Sequence, residues 1–222
     1  MPANKRVAAK KKGVATKKKG MAPKNRVAPK KNSRRHVEPE VQQAAPRVQQ
    51  AGSAWDWVFA PRAPGDKRYW LVKSEPGTFS FDDLLNRPDR TTHWDGVRNY
   101  TARTFMRDVM KLGDPVLFYH SNAEPSAIIG ICEVVREGYP DHTALDRNDP
   151  HFDEGSDPDD PTWFMVDLKA VRALPRPLPL PELRQRKDLA KMALLRIGRL
   201  SVSPVRPDEW KILMDMANEG TP

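Results

Sequence analysis

Apolar residues along this chain come in short runs, broken by prolines, glycines and acids. Residues 69–73 (YWLVK), 116–119 (VLFY), 127–136 (AIIGICEVVR) and 163–171 (WFMVDLKAV) are rich in β-branched and aromatic side chains, and each reads as a strand. Helical signals lie between them. Ser80 followed by Asp83 has the spacing of a capping box, in which each side chain reaches the other's backbone N–H, and Pro88 marks the end of that helix. In residues 101–112 (TARTFMRDVMKL), Phe105, Val109 and Leu112 fall on one helical face, and Gly113 provides the stop. One or two further helices are predicted within 178–195 and a last one over 207–217, with proline in its first turn. Residues 141–161 form a long Asp- and Pro-rich excursion. Strands and helices are interspersed without a repeated βαβ period or a glycine fingerprint. An α+β fold built on a small mixed barrel therefore fits better than a doubly wound sheet.

Charge divides the chain. The 222 residues carry a net charge of +9, but residues 1–54 hold fifteen Lys and Arg against two acids, +13, leaving 23 basic and 27 acidic residues, −4, in the remainder. The basic stretch contains no Phe, Trp or Tyr. With so little to bury against the entropy of ordering, it reads as a disordered basic tail. Such an arm binds phosphate backbones without sequence preference; a solubilising extension and an organelle transit peptide are the alternatives. Residues 55–67 read as a linker in which Trp55, Trp57 and Phe59 either dock on the folded part or serve as a partner motif. Residues 68–222 form the domain. No apolar run approaches a membrane span, so a soluble intracellular protein is expected: cytoplasmic or nucleoid-associated in a bacterium, nuclear in a eukaryote. Cys132 is the sole cysteine, which excludes a disulfide and a cysteine-based zinc site, and its apolar surroundings predict a buried structural thiol.

Candidate chemistry gathers where apolar strands run out, at residues 69–76 (YWLVKSEP), 94–100 (WDGVRNY) and 118–122 (FYHSN). Rings beside hydrogen-bonding groups suit a flat, polar-edged ligand such as a nucleobase. Other constellations are weaker. The acidic segment 146–160 lacks the frame of a calcium loop, and His93, His120, His142 and His151 show neither HxxxH nor HxH spacing, so no metal or cofactor is expected. Ser74 with Glu75, and His120 with Ser121, are neighbours in sequence but lie in no nucleophile elbow, and no catalytic residue is assigned.

From Arg68 to about Met216 the chain resembles the EVE domain, a member of the PUA-like superfamily that is also similar to the YTH readers of modified bases. The resemblance rests on WLVKSEP at 70–76, WDGVRNY at 94–100, Gly113-Asp114, FYHSN at 118–122, Tyr139-Pro140-Asp141, Trp163 with Met165-Val166-Asp167, and Leu200-Ser201-Val202 with Pro204, all in family order. Thr162 departs from the basic residue expected before Trp163. The resemblance implies a PUA-like mixed barrel flanked by helices, monomeric, reading a modified base in DNA or RNA. It implies Trp94 as the stacking platform and Tyr119 as a second. Ser74, Asn99, His120 and Ser121 would read the base edge, Leu200 and Ser201 would close the wall, and Lys73, Arg98 and Arg103 would contact phosphates. Two other functions remain open: an enzyme acting on a base or nucleotide through His120 with Glu75 or Asp95, and a general nucleoid or chromatin protein held by its tail.

Overall fold

The computed structural model describes residues 54–219. The tail predicted over 1–54 lies outside the described residues, except for Ala54. In chain order the elements are α1 (Asp56–Phe59), β1 (Tyr69–Ser74), α2 (Phe81–Leu85), β2 (Thr91–Trp94), α3 (Tyr100–Thr104), β3 (Pro115–His120), β4 (Ala127–Pro140), β5 (Phe164–Pro179), α4 (Leu180–Gln185), α5 (Ala193–Arg196), β6 (Val202–Val205) and α6 (Pro207–Asn218). The strands form one mixed sheet in the order β2-β5-β4-β3-β1-β6, in which β1 runs parallel to β3 and every other pairing is antiparallel. The α+β class and mixed strand directions expected from the sequence are present, the expected small mixed barrel taking the form of one six-stranded sheet with flanking helices. Repeated register shifts along β4 and β5 bend these long strands and increase the local twist of the sheet.

Alternation along the strands builds two cores. On β1, Trp70 and Val72 enter one cluster with Val116, Phe118, Cys132, Val134, Val166 and Leu168, while Leu71 enters a second with Leu117, Tyr119, Ile128, Leu178 and, from α6, Leu213 and Met216. Successive side chains of a strand point to opposite faces, so Phe118 and Tyr119, adjacent in sequence, belong to different cores. Cys132 is fully buried, and desolvation raises its thiol far above the ordinary range.

Local signals account for the helix ends. The Ser80 hydroxyl accepts from the Asp83 N–H at 3.0 Å and the Asp83 carboxylate accepts from the Ser80 N–H at 2.8 Å, closing the capping box. The helix predicted over 101–112 is shorter. After α3 it continues as a π-helical turn over Phe105–Val109, closed by Met110 N–H donating to Phe105 O at 2.9 Å, and then extends. Phe105, Met106 and Val109 are buried, but Leu112 lies beyond the helix and is 57% exposed. The segment predicted as linker packs on the domain. Val58 of α1 is buried, Trp55 meets Phe105 edge-on with centroids 5.5 Å apart, Arg206 lies over Trp57, and the Arg68 guanidinium donates to the carbonyls of Val58 and Ala60. No described helix is long and apolar enough to cross a membrane.

Candidate nucleic-acid interface

A cavity of about 560 Å3 opens beside the ends of β1 and β2, within the range of about 300 to 1,000 Å3 usual for small-ligand pockets. Four segments build it. The end of β1 supplies Lys73 and Ser74, the turn after it Glu75, Thr78 and Phe79, the end of β2 and its following loop residues 92–98, and the approach to β6 Ser201, while His151 closes one side. Phe118 backs the two aromatic walls: its ring meets Trp94 edge-on at 5.5 Å and lies 6.4 Å from Phe79. Arg87 lies over the outer part of this wall, 5.1 Å from the Phe79 ring centroid. A cavity of similar volume, about 580 Å3, lies between Trp55, Trp57, Lys191 and Arg196, and none of the predicted site residues lines it.

Five predicted residues line the 560 Å3 cavity: Lys73, Ser74, Trp94, Arg98 and Ser201. Their partners limit what each can offer. Ser74 Oγ donates to Phe79 O at 2.6 Å, so its lone pairs remain as acceptors for a ligand N–H. Lys73 Nζ donates to Gly198 O at 2.9 Å, and burial lowers its pKa. Arg98, expected on phosphate, is committed to its own chain: Nη1 donates to Asp141 Oδ2 at 2.7 Å, Nη2 to Thr143 Oγ1 at 3.1 Å and Nε to His151 O at 2.9 Å. It fastens the loop after β4 to the cavity. Burial alone would raise the Asp141 carboxyl, but the hydrogen bonds from Arg98 and Thr143 outweigh it and hold the group below its ordinary value. Trp94 is only 8% exposed and belongs to the core as well as to the wall.

The other six predicted residues lie outside the lining. Tyr119 is 4% exposed in the core of the opposite sheet face. Asn99 caps α3, its Oδ1 accepting from the N–H groups of Thr101 and Ala102 at 3.0 Å each. Ser121 N–H donates to Ser74 O at 2.8 Å, and Leu200 is buried in the core. Arg103 donates to Thr162 O at 3.2 Å and lies over Tyr100. His120 Nε2 accepts from the Phe81 N–H at 3.0 Å, which places the neutral ring's proton on Nδ1. His120 thus acts at the start of α2. Glu75 accepts from Asn122 Nδ2 at 2.6 Å, and Asp95 lies 3.3 Å from His93.

Burial lowers the His120 pKa, and nearby Asp82 only partly opposes it. A histidine with a lowered folded pKa binds fewer protons folded than unfolded, so its contribution is fully present above the unfolded value of about 6.5 and lost as pH falls through the folded value. Urea midpoints measured from neutral pH downward are expected to fall in that window for the native chain and to flatten there for His120→Asn. Asp83, with its pKa lowered by Ser80, acts in a separate window below the ordinary carboxylate value.

Phe79 and Thr78 are the aromatic and polar wall residues that sequence reasoning missed. Pro76-Gly77 signals a turn, and the turn forms with the N–H groups of Thr78 and Phe79 donating to Glu75 O at 2.9 and 2.8 Å, returning the Phe79 ring to the end of β1. His93 and His151 came to the site through pairing and loop closure that no local spacing announces.

The EVE-domain family model matches residues 68–216. Thymocyte nuclear protein 1 of Mus musculus is 42% identical over 165 residues, covering 67% of this chain and 73% of that protein. Among solved structures, a hypothetical protein from Leishmania major is 47% identical with a TM-score of 0.65, over 69% of this chain and 96% of that one. The human THYN1 protein in complex with 5-methylcytosine-containing DNA is 41% identical with a TM-score of 0.66, over 70% of this chain and 100% of that one. The six-stranded mixed sheet with flanking helices is accordingly the PUA-like fold, and the chain belongs to the EVE-domain family.

Proposed function

We propose that this protein is a non-catalytic reader of a modified base in DNA, with a modified cytosine as the first candidate, and that the cavity at the ends of β1 and β2 receives the base. The observation that carries this reading is the pairing of Trp94 and Phe79 walls, both backed by Phe118, with a rim of Ser74, Lys73 and Ser201. Extruding a base from a duplex costs a few kcal/mol, and stacking on an aromatic returns about 1 to 3 kcal/mol. Hydrogen bonds at the rim supply the remainder. The human relative in complex with 5-methylcytosine-containing DNA supports the ligand class. An acid/base reading through His120 has less support, because His120 serves the Phe81 N–H and neither Glu75 nor Asp95 is its partner.

Pocket and tail make separable contributions in this reading. Binding is measured against salt on matched oligonucleotides with cytosine or 5-methylcytosine, for the full chain and for a chain lacking residues 1–53, which keeps every described residue. Removal of the basic arm is expected to weaken binding equally on both oligonucleotides and to flatten the salt dependence, with the ratio between the two preserved. Loss of the ratio on truncation would assign discrimination to the arm instead.

A further inference from the structure

His93, Asp95 and His142 bring two imidazoles and a carboxylate together at the rim of the cavity, and we propose that they form a site for a divalent transition-metal ion of the zinc type. Their ligand atoms all lie within 4.8 Å of one another. His93 Nε2 and Asp95 Oδ2 are 3.3 Å apart, and the His93 and His142 rings meet edge-on with centroids 5.4 Å apart. Zinc bonds of about 2.0 to 2.2 Å in tetrahedral geometry separate neighbouring ligands by about 3.3 to 3.5 Å, so one edge of the polyhedron is already at length. Both histidines are exposed, which leaves their side chains room to rotate toward the lengths of the other two edges.

The backbone beneath these residues is fixed. Asp141, buried and adjacent to His142, accepts from Gly96 N–H at 3.0 Å and from Arg98 Nη1 at 2.7 Å, which ties the loop after β4 to the loop after β2. Its second oxygen accepts from the N–H and hydroxyl of Thr143 at 2.9 and 2.6 Å. Gly96 has φ of 69°, and a Cβ there would sit 2.8 Å from the His151 ring, so the junction is closely packed. Asp141 thus holds the two ligand-bearing segments in one arrangement before any ion arrives.

Donor chemistry selects the ion. Two nitrogens and one oxygen suit zinc, cobalt or nickel, whereas magnesium and calcium favour all-oxygen sites. Three protein ligands leave a fourth position open, as in zinc sites that hold water or substrate. His93 and Asp95 also line the cavity, so an ion there adds positive charge at its rim. This proposal does not depend on the base-reading function, and its test uses no nucleic acid. The competing account is a plain pairing of His93 with Asp95, which requires no metal.

The full-length, metal-stripped chain is titrated with Zn2+ by calorimetry and with Co2+ by visible absorption. One ion per chain is expected, with Co2+ giving the strong visible bands of a low-coordinate N/O site. His93→Ala and His142→Ala are each expected to weaken Zn2+ binding at least about tenfold, since losing a ligand should cost no less than losing its supporting partner. Both side chains are exposed, and circular dichroism in the presence of chelator confirms that each variant folds. His36→Ala, altering the histidine of the basic N-terminal segment, is expected to change nothing. Absence of a stoichiometric Zn2+ event, or an affinity untouched by His142→Ala, would overturn the proposal and leave the plain pairing.

Discussion

Asp114→Ala is expected to destabilise the domain by about 3 to 5 kcal/mol, the cost of stranding the partners of a buried charge. The Asp114 side chain is fully buried and takes five hydrogen bonds: from Arg62 Nη1 and Nη2 at 2.6 and 2.7 Å, Trp70 Nε1 at 2.9 Å, the Lys111 N–H at 3.0 Å and the Arg68 N–H at 3.2 Å. These donors come from the segment before β1, from β1 itself and from the turn before β3. Removing the carboxylate leaves a buried indole N–H without its acceptor and a largely buried guanidinium with the Val109 carbonyl alone. Against a total stability of about 5 to 15 kcal/mol, that loss moves the urea midpoint far toward zero. Asp114→Asn, retaining one oxygen, should lose less. The exposed Arg107–Asp108 pair has a similar separation of 2.7 Å, yet Arg107→Ala should cost at most about 1 kcal/mol, because water and salt screen it.

Trp94→Ala is expected to abolish modified-base binding and to cost about 3 to 5 kcal/mol of stability in the same stroke. A ring that served only as the stacking platform the family resemblance implies could be lost with the domain largely folded. Burial changes that expectation: Trp94 is 8% exposed, pairs with Val166 across the β2–β5 ladder, and packs edge-on against Phe118. Its truncation opens a cavity in the first core. Trp94→Phe retains a ring and part of the volume, so it should recover most of the stability while stacking less area. Denaturation midpoints together with oligonucleotide affinities, taken well below the midpoint temperature, separate the two effects. A Trp94→Ala chain as stable as the native one would contradict the core assignment.

The strands with dense apolar runs were legible because burial on both faces demands them, and the Ser80–Asp83 capping box was legible because it is a local bargain between adjacent groups. The four-residue edge strands β2 and β6 were not: each is short and takes its strand character from one long-range pairing. Leu112 looked helical by spacing, but the π-helical turn at Phe105 consumes an extra residue and the chain extends after Val109. The site divides the same way. Lys73 and Ser74 stand where the apolar run of β1 ends, whereas Trp94 closes the short β2 and was marked by the family resemblance and by its ring beside Asp95, Arg98 and Asn99. Tyr119 was misplaced because two neighbouring aromatics on a strand face opposite cores, and Asn99 because its amide serves the next helix rather than the cavity. His93, Asp95 and His142 carry no motif, since residues 95 and 142 meet only through Asp141 and the loops it joins.

Filling the cavity tests the base-reading function most directly. Thr78 is exposed and lines the opening, so Thr78→Trp can occupy the space without disturbing the core, and such surface changes usually alter stability by no more than about 0.5 kcal/mol. The decisive quantity is the ratio of affinities for matched 5-methylcytosine and cytosine oligonucleotides, at one salt concentration, for the native chain and for Thr78→Trp. The cavity reading predicts a ratio above one for the native chain that collapses to one in the variant, with its denaturation midpoint and salt slope unchanged. A native preference that survives with the cavity filled would contradict it.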